Sequence, residues 1–254
     1  MRIATWNVNS LKVRLPHILD WLASNPVDVL CLQETKQQDE DFPQAELLAA
    51  DYHSVFSGQK TYNGVAILSR TPAGEVQHGI PGHDNDQKRV IAATFGDIRV
   101  VCVYVPNGQA VDSDKYYYKL AWLDKLRNWL KDELARHPKL VVLGDYNVAP
   151  EDRDVHDPVI WQGQVLVSEA ERIHFQNLIK LGLHDSFRLF EQPEKSFTWW
   201  DYRMMAFRRN HGLRIDHILI SDALVKQCKS CVIDKAPRKL ERPSDHVPVV
   251  VELL

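Results

Sequence analysis

The chain has 254 residues and a net charge of −3. A fold of this length buries roughly 70–75% of its unfolded-chain surface, so neither disulfides nor a structural metal is required for stability. The near-neutral balance excludes a globally basic nucleic-acid binder and leaves room only for a local basic patch. The start, Met1-Arg2-Ile3-Ala4-Thr5-Trp6, lacks a signal-peptide core, and no apolar run approaches 18 residues. The expectation is a soluble, cytoplasmic, nucleoid-associated protein with no membrane contact.

Strand-like runs recur along the chain: Ile3 to Val8, Val27 to Leu32, Gly64 to Ser69, Val90 to Phe95, Ile98 to Val105, Leu140 to Leu143, Ile215 to Ser221 and Val247 to Leu253. Leu15, Ile18, Leu19 and Leu22 have helical spacing, and Leu123, Leu126, Leu130 and Leu134 mark a longer helix within Lys115 to His137. Ser168-Glu169-Ala170-Glu171 is a capping-box pattern that opens a helix with Phe175, Leu178 and Ile179 inward, ended by Gly182. Gly96-Asp97 joins two apolar runs as a hairpin turn. No linker or low-complexity stretch divides the chain, so residues 1–254 read as one domain. Hairpins with covering helices predict two packed, mostly antiparallel sheets with helices outside. Cys31 and Cys102 fall inside apolar runs and read as buried thiols. Cys228 and Cys231 lack the second pair that a zinc site uses.

Polar residues gather at the ends of these strands. Leu140-Val141-Val142-Leu143 runs into Gly144-Asp145-Tyr146-Asn147, where the glycine frees a turn and Asp145 and Asn147 leave on one face of an extended segment. Ile3 to Trp6 leads into Asn7-Val8-Asn9, and Val29 to Leu32 into Gln33-Glu34-Thr35-Lys36. Val101 to Val103 leads into Tyr104-Val105-Pro106-Asn107-Gly108. Arg214-Ile215-Asp216-His217 opens one strand and Ser244-Asp245-His246 precedes another. Together these are the parts that phosphate-ester hydrolysis uses. A hard divalent cation relieves the charge of the ester, and Glu34 is the best single ligand candidate, beside Asn7 and Asp245. Asp145, or His246 polarised by a carboxylate, takes a proton from water. Neighbours on a strand face opposite ways, so Asp216 rather than Asp245 suits His246. Asn147 and Tyr104 donate to charge building on phosphate oxygens.

These motifs, with Tyr62-Asn63-Gly64, Trp200-Asp201-Tyr202-Arg203 and Gly212-Leu213-Arg214-Ile215-Asp216, resemble the exonuclease III class of AP endonucleases, within the endonuclease/exonuclease/phosphatase superfamily. They span nearly the whole chain in family order. The resemblance implies a four-layer α/β/β/α sandwich like that of deoxyribonuclease I. It implies dependence on Mg²⁺, with Mn²⁺ substituting, and incision 5′ to abasic sites in duplex DNA. 3′–5′ exonuclease and 3′-phosphatase activity on blocked 3′ ends accompany it, carried out by a monomer. Family roles fall on Glu34, Asn7, Asp245, Asp145, Asn147 and His246 around the metal. Tyr104, Asp145, Asn147, Asp216 and His246 carry the catalysis, with the base left open between Asp145 and His246.

On the DNA side, Trp199, Leu213 and Ile215 align with an apolar pocket for a flipped-out deoxyribose. Arg203 and Asn107 join them in the basic and aromatic stretch and the loop that face DNA. Lys36, Lys60, Arg89, Lys115 and Lys119 are further phosphate-contact candidates. The loop Gly108-Gln109-Ala110 lacks the bulky basic residue some members insert into DNA, Tyr146 replaces Phe or Leu, and Trp161 to Val167 lies in a variable region. A general phosphatase or nuclease of the same superfamily is the alternative enzyme. A non-catalytic DNA-binding protein is the alternative of another class.

Overall fold

A computed structural model describes residues 1–83 and 87–254. The first sheet contains β1 (Arg2–Asn7), β2 (Val29–Gln33), β3 (His53–Ser57), β4 (Val65–Ser69), β11 (Cys228–Ile233) and β12 (Val249–Leu253), in the order β11-β12-β1-β2-β4-β3. The second contains β5 (Gly74–His78), β6 (Val90–Phe95), β7 (Ile98–Tyr104), β8 (Leu140–Asp145), β9 (Leu183–Asp185) and β10 (Asp216–Ser221), in the order β5-β6-β7-β8-β10-β9. Each sheet has one parallel pair, β1/β2 and β7/β8, among antiparallel neighbours. The mostly antiparallel expectation therefore holds.

The two parallel pairs have the same origin. A parallel return needs a long crossover, and α1 (Leu11–Ser24) supplies it for β1/β2 while α3 (Asp114–Arg136) supplies it for β7/β8. Two short helices, α2 (Gln44–Ala49) and α4 (Pro158–Trp161), and α5 (Glu169–Ile179) complete the part of the chain used below. The capping box at α5 forms as read: Ser168 accepts from Glu171 N, and the Glu171 side chain reaches back to Ser168 N.

Three apolar layers hold the sandwich. Ile3, Cys31, Ile67, Cys102, Val141, Ile218 and Val251 fill the space between the sheets. Val101, Val142 and Leu219 pack outward against Trp122, Leu126 and Leu130 of α3 and Phe175 and Leu178 of α5. Ala4, Leu30, Leu32 and Val250 pack against Ile18, Trp21 and Leu22 of α1. Alternate residues of the central strands thus serve two cores, which is why those strands read as unbroken apolar runs.

Two expectations at β8 change. Gly144 does not turn the chain; it lies inside the strand. Its φ is +149°, and a Cβ there would meet the Val103 carbonyl oxygen at 1.8 Å. Asn147 is not extended but left-handed, with φ 49°. It reaches Asp145 by a local turn, in which its backbone N–H donates to Asp145 Oδ1 at 2.9 Å. Cys228 and Cys231 sit on the edge strand β11 as free thiols.

Candidate active site

The site lies at the carboxyl ends of the two parallel pairs. Asn7 ends β1, Glu34 follows β2, Tyr104 ends β7 and Asp145 ends β8. Tyr104 and Asp145 are register partners across β7/β8, and Asp145 and Asp216 across β8/β10. The packed sheets bring these four strand ends to one rim, where Asn7 is bonded to both Glu34 and Asp145. Ligands in α/β sheets collect at such ends.

The backbone here is strained. Asn9, Glu34, Lys36 and Asn147 all have φ between 45° and 53°. Left-handed non-glycine residues are sparsely populated and cluster at functional sites. Such turns lift side chains off the pleat and point them together. Asn7 bridges the result. Its amide nitrogen donates to Glu34 Oε1 and to Asp145 Oδ2, both at 2.9 Å. Its oxygen accepts from Asn9 N, so Asn7 spaces the two carboxylates instead of adding an oxygen to them.

His246 enters from the loop before β12. Asp216 Oδ2 takes a hydrogen bond from Nδ1 at 2.8 Å, and Nε2 lies 3.7 Å from Asp145 Oδ2. Burial opposes the charged imidazolium, but Asp216 and Asp145 outweigh it and raise the pKa to about 10. Burial raises Asp145 to about 7; His246 and Asn7 oppose that rise, while Asp216 and Glu34 add to it. The proton affinities of the two groups belong to the pair. The Tyr104 hydroxyl is buried beside Glu34 and Asp145, which holds its pKa well above the usual value and keeps it a donor. Arg89 covers the Tyr104 ring at 4.6 Å.

Donor atoms of Glu34, Asp145 and His246 all lie within 4.8 Å of one another. Two carboxylates beside one opening suit a hard divalent cation. His246 belongs to the same group, with Nδ1 committed to Asp216 and Nε2 facing Asp145. The side chains of two other expected ligands have hydrogen-bond partners of their own. Asp245 accepts from Asn9 Nδ2 at 2.9 Å and from Trp199 Nε1 at 3.0 Å. Asn147 Oδ1 accepts from Asn107, while its nitrogen donates to the Val105 carbonyl.

The DNA-side candidates divide. Lys36 lies 2.9 Å from Glu34 Oε2 and shares a groove with the exposed Lys60. Arg89, Lys115, Tyr104 and Asn107 line a cleft of about 620 Å³ that opens from the site. Arg203 is exposed and ion-paired to Asp201. Trp199, Leu213 and Ile215 come together, but Leu213 and Ile215 are 0% and 1% exposed. They are packed with Ala149, Val155, Leu166 and Val167, so only the part-buried Trp161, Val165 and Trp199 offer surface there. Lys119 is a correction. It is fully buried and paired with Glu171, so no phosphate reaches it.

Residues with no role assigned from sequence also build the site. Asn9 holds both Asp245 and Lys36. Ser244 Oγ donates to the Asn7 carbonyl and accepts from His246 N. Thr198 Oγ1 accepts from the backbone of Ile215 and Asp216. Asn9 and Ser244 stand inside the motifs and were legible there; Thr198 carries no such signal.

Residues 4–246 match the sequence pattern of the Endonuclease/Exonuclease/phosphatase family. The chain belongs to this family. It is 35% identical to exodeoxyribonuclease III of Haemophilus influenzae, over 99% of both chains. Among solved structures it is similar to the 3′ phosphatase NExo from Neisseria bound to a product DNA hairpin. That match has a TM-score of 0.98 and 50% identity, over 100% of this chain and 99% of the other. An AP endonuclease from Archaeoglobus fulgidus follows at a TM-score of 0.95 and 40% identity, over 100% and 99%. These matches bear out the family and the sandwich read from the motifs.

Proposed function

We propose that the chain is a DNA-repair hydrolase that cuts the phosphodiester 5′ to abasic sites and removes blocking groups from 3′ ends, using Mg²⁺. The observation that carries this is the convergence of Glu34, Asp145 and His246 within 4.8 Å on a rim where Tyr104 and Asn107 also stand. Relatives over the full chain length named for DNA cleavage support the substrate class.

Glu34 and Asp145 would hold the cation, which neutralises the phosphate and lowers the pKa of a bound water. The remaining work falls to the chain's own side chains. Asp145, ionised beside the cation, takes the proton of the attacking water. His246, kept protonated by Asp216, holds a non-bridging phosphate oxygen. The Tyr104 hydroxyl and the second hydrogen of the Asn147 amide donate to the charge that develops there. Lys36, Lys60, Arg89 and Lys115 hold the flanking phosphates, Asn107 the loop beside them, and Trp199 and Arg203 the far side of the lesion. The enzyme acts as a monomer.

A second reading shifts the balance toward 3′ ends. The sealed Leu213 and Ile215 leave little apolar hollow for a flipped sugar. A 3′ terminus needs no such hollow. Steady-state rates on an abasic duplex, a recessed 3′ end and a 3′-phosphate, with EDTA and with restored Mg²⁺, test both. Abasic incision within about tenfold of the 3′ activities supports the first reading. Three-prime activity without incision supports the second. No metal-dependent turnover on any of the three refutes both.

A further inference from the structure

Lys119 of α3 is 0% exposed, and its ammonium is fully used. It donates to the Asn147 carbonyl at 2.6 Å, to the Asn107 carbonyl at 3.0 Å and to Glu171 of α5. An ammonium has three donors, so none is left for a ligand. Glu171 is equally committed. It accepts from Leu166 N at 3.0 Å, from Ser168 N at 3.2 Å and from Ser168 Oγ at 2.6 Å. One ion pair therefore ties three loops: the one carrying Asn107, the one carrying Asn147 and the one carrying Leu166.

Two further observations show that the loops are fitted to the pair. Gly108 has φ +95°, and a Cβ there would meet Lys119 Cδ and Val165 Cγ2, each at 3.2 Å. Asn147 is left-handed at φ 49°, a conformation that persists only where neighbours impose it. The Lys119 contact to its carbonyl is one such constraint. The Asn107 amide in turn donates to Asn147 Oδ1 at 3.1 Å. The side chains of the two asparagines are joined at the rim, and their carbonyls are joined below it by one ammonium.

We propose that Lys119, charge-balanced by Glu171, is a positioning residue for the hydrolysis. It fixes the Asn147 and Asn107 loops relative to each other and so sets where the Asn147 amide meets the phosphate. This rests on the role given to Asn147 above. The Lys119 ammonium never touches the substrate; it acts through two backbone carbonyls. Breaking a buried pair from one side leaves an uncompensated charge, whereas neutralising both partners removes it, and Gln at position 171 keeps acceptors for Leu166 and Ser168. Stability and catalysis thus separate in the double variant.

The experiment compares Lys119→Met, Glu171→Gln, the double Lys119→Met/Glu171→Gln and, as reference, Asn147→Ala. Each is measured for Tm and for kcat and KM on one DNA substrate. Lys119→Met alone is expected to lose Tm. The double variant is expected to regain most of that Tm while kcat stays about 10- to 100-fold low, the scale of a small misplacement at a reacting centre, with KM within about threefold. The milder Glu171→Gln keeps acceptors for Leu166 and Ser168. It is expected to lower kcat about threefold or more with its Mg²⁺ midpoint unchanged, and it decides the matter should the double variant not fold. Recovery of kcat together with Tm in the double variant, or full kcat in Glu171→Gln, overturns the proposal. If Asn147→Ala keeps full kcat, the role of Asn147 itself is wrong. If Asn147→Ala loses kcat while the double variant keeps it, only the role of Lys119 fails.

Discussion

Asp145 and Asp216 stand directly opposite each other in the β8/β10 ladder, and His246 lies against both. Directly opposed residues of an antiparallel pair share a face. The ladder therefore places two carboxylates on one side of the sheet, and a third strand's entry loop inserts an imidazole between them. Against the cost of burial, Asp216 and Asp145 raise the His246 pKa to about 10, and burial raises that of Asp145 to about 7. In the proposed mechanism Asp145 therefore takes the proton and His246 holds the phosphate.

Asp145→Asn removes that proton acceptor while preserving shape. Turnover is expected to fall about 10²- to 10⁴-fold, the scale of lost acid–base catalysis. DNA binding by fluorescence anisotropy is expected to stay within a few-fold. Near-normal turnover would rule out the role.

Glu34→Ala removes one of the two carboxylates suited to a hard cation. The Mg²⁺ concentration giving half-maximal rate is expected to rise at least about tenfold, and the Tm gain on adding Mg²⁺ to shrink. A superimposable metal titration would exclude Glu34 as a ligand.

Stability in EDTA is expected to depend on pH in a defined direction. Asp145 and His246 both have folded pKa values above their ordinary ones. Each therefore contributes stability at low pH that is lost as pH rises through the folded value. The window is about 3.8 to 7 for Asp145 and about 6.5 to 10 for His246. Tm is expected to fall between pH 6.5 and 9.5, and Asp216→Asn to flatten that fall. Mg²⁺ prefers the ionised Asp145, so its stabilising effect is expected to grow as pH rises through 7. A Tm rising over the upper window would contradict the charged His246.

Trp199→Ala removes both an apolar wall and the donor that holds Asp245. Abasic incision is expected to fall more than 3′-phosphate removal, with the Mg²⁺ midpoint little changed. Equal losses on both substrates would count against a lesion-facing role.

Gly144→Ala places a methyl group against the Val103 carbonyl in a backbone region that side chains avoid. Neither strand end can give without moving Asp145. The loss is expected to be at least about 2 kcal/mol by urea denaturation, on the scale of a strained backbone combined with a core clash. A stable, active variant would show that β7 and β8 separate easily.

The amino-acid sequence by itself determined the eight interior strands, the helices crossing between them and the residues at their ends. Those strands are buried on both faces, so their composition alone marks them. The four strands it did not reveal, β3, β5, β9 and β11, are the four sheet edges. Edge strands face solvent along one side and carry mixed, polar sequences, as in Gly74 to His78. The site divides the same way. Asp145, Glu34, Asp216 and His246 were legible because their chemistry is costly to place anywhere else. Only the tertiary structure decided that Lys119 is a buried tie and not a phosphate contact, that Leu213 and Ile215 are sealed, and that Asn7 bridges two carboxylates. Those outcomes depend on which loops pack together from residues far apart in the chain, and a local sequence pattern carries no record of such contacts.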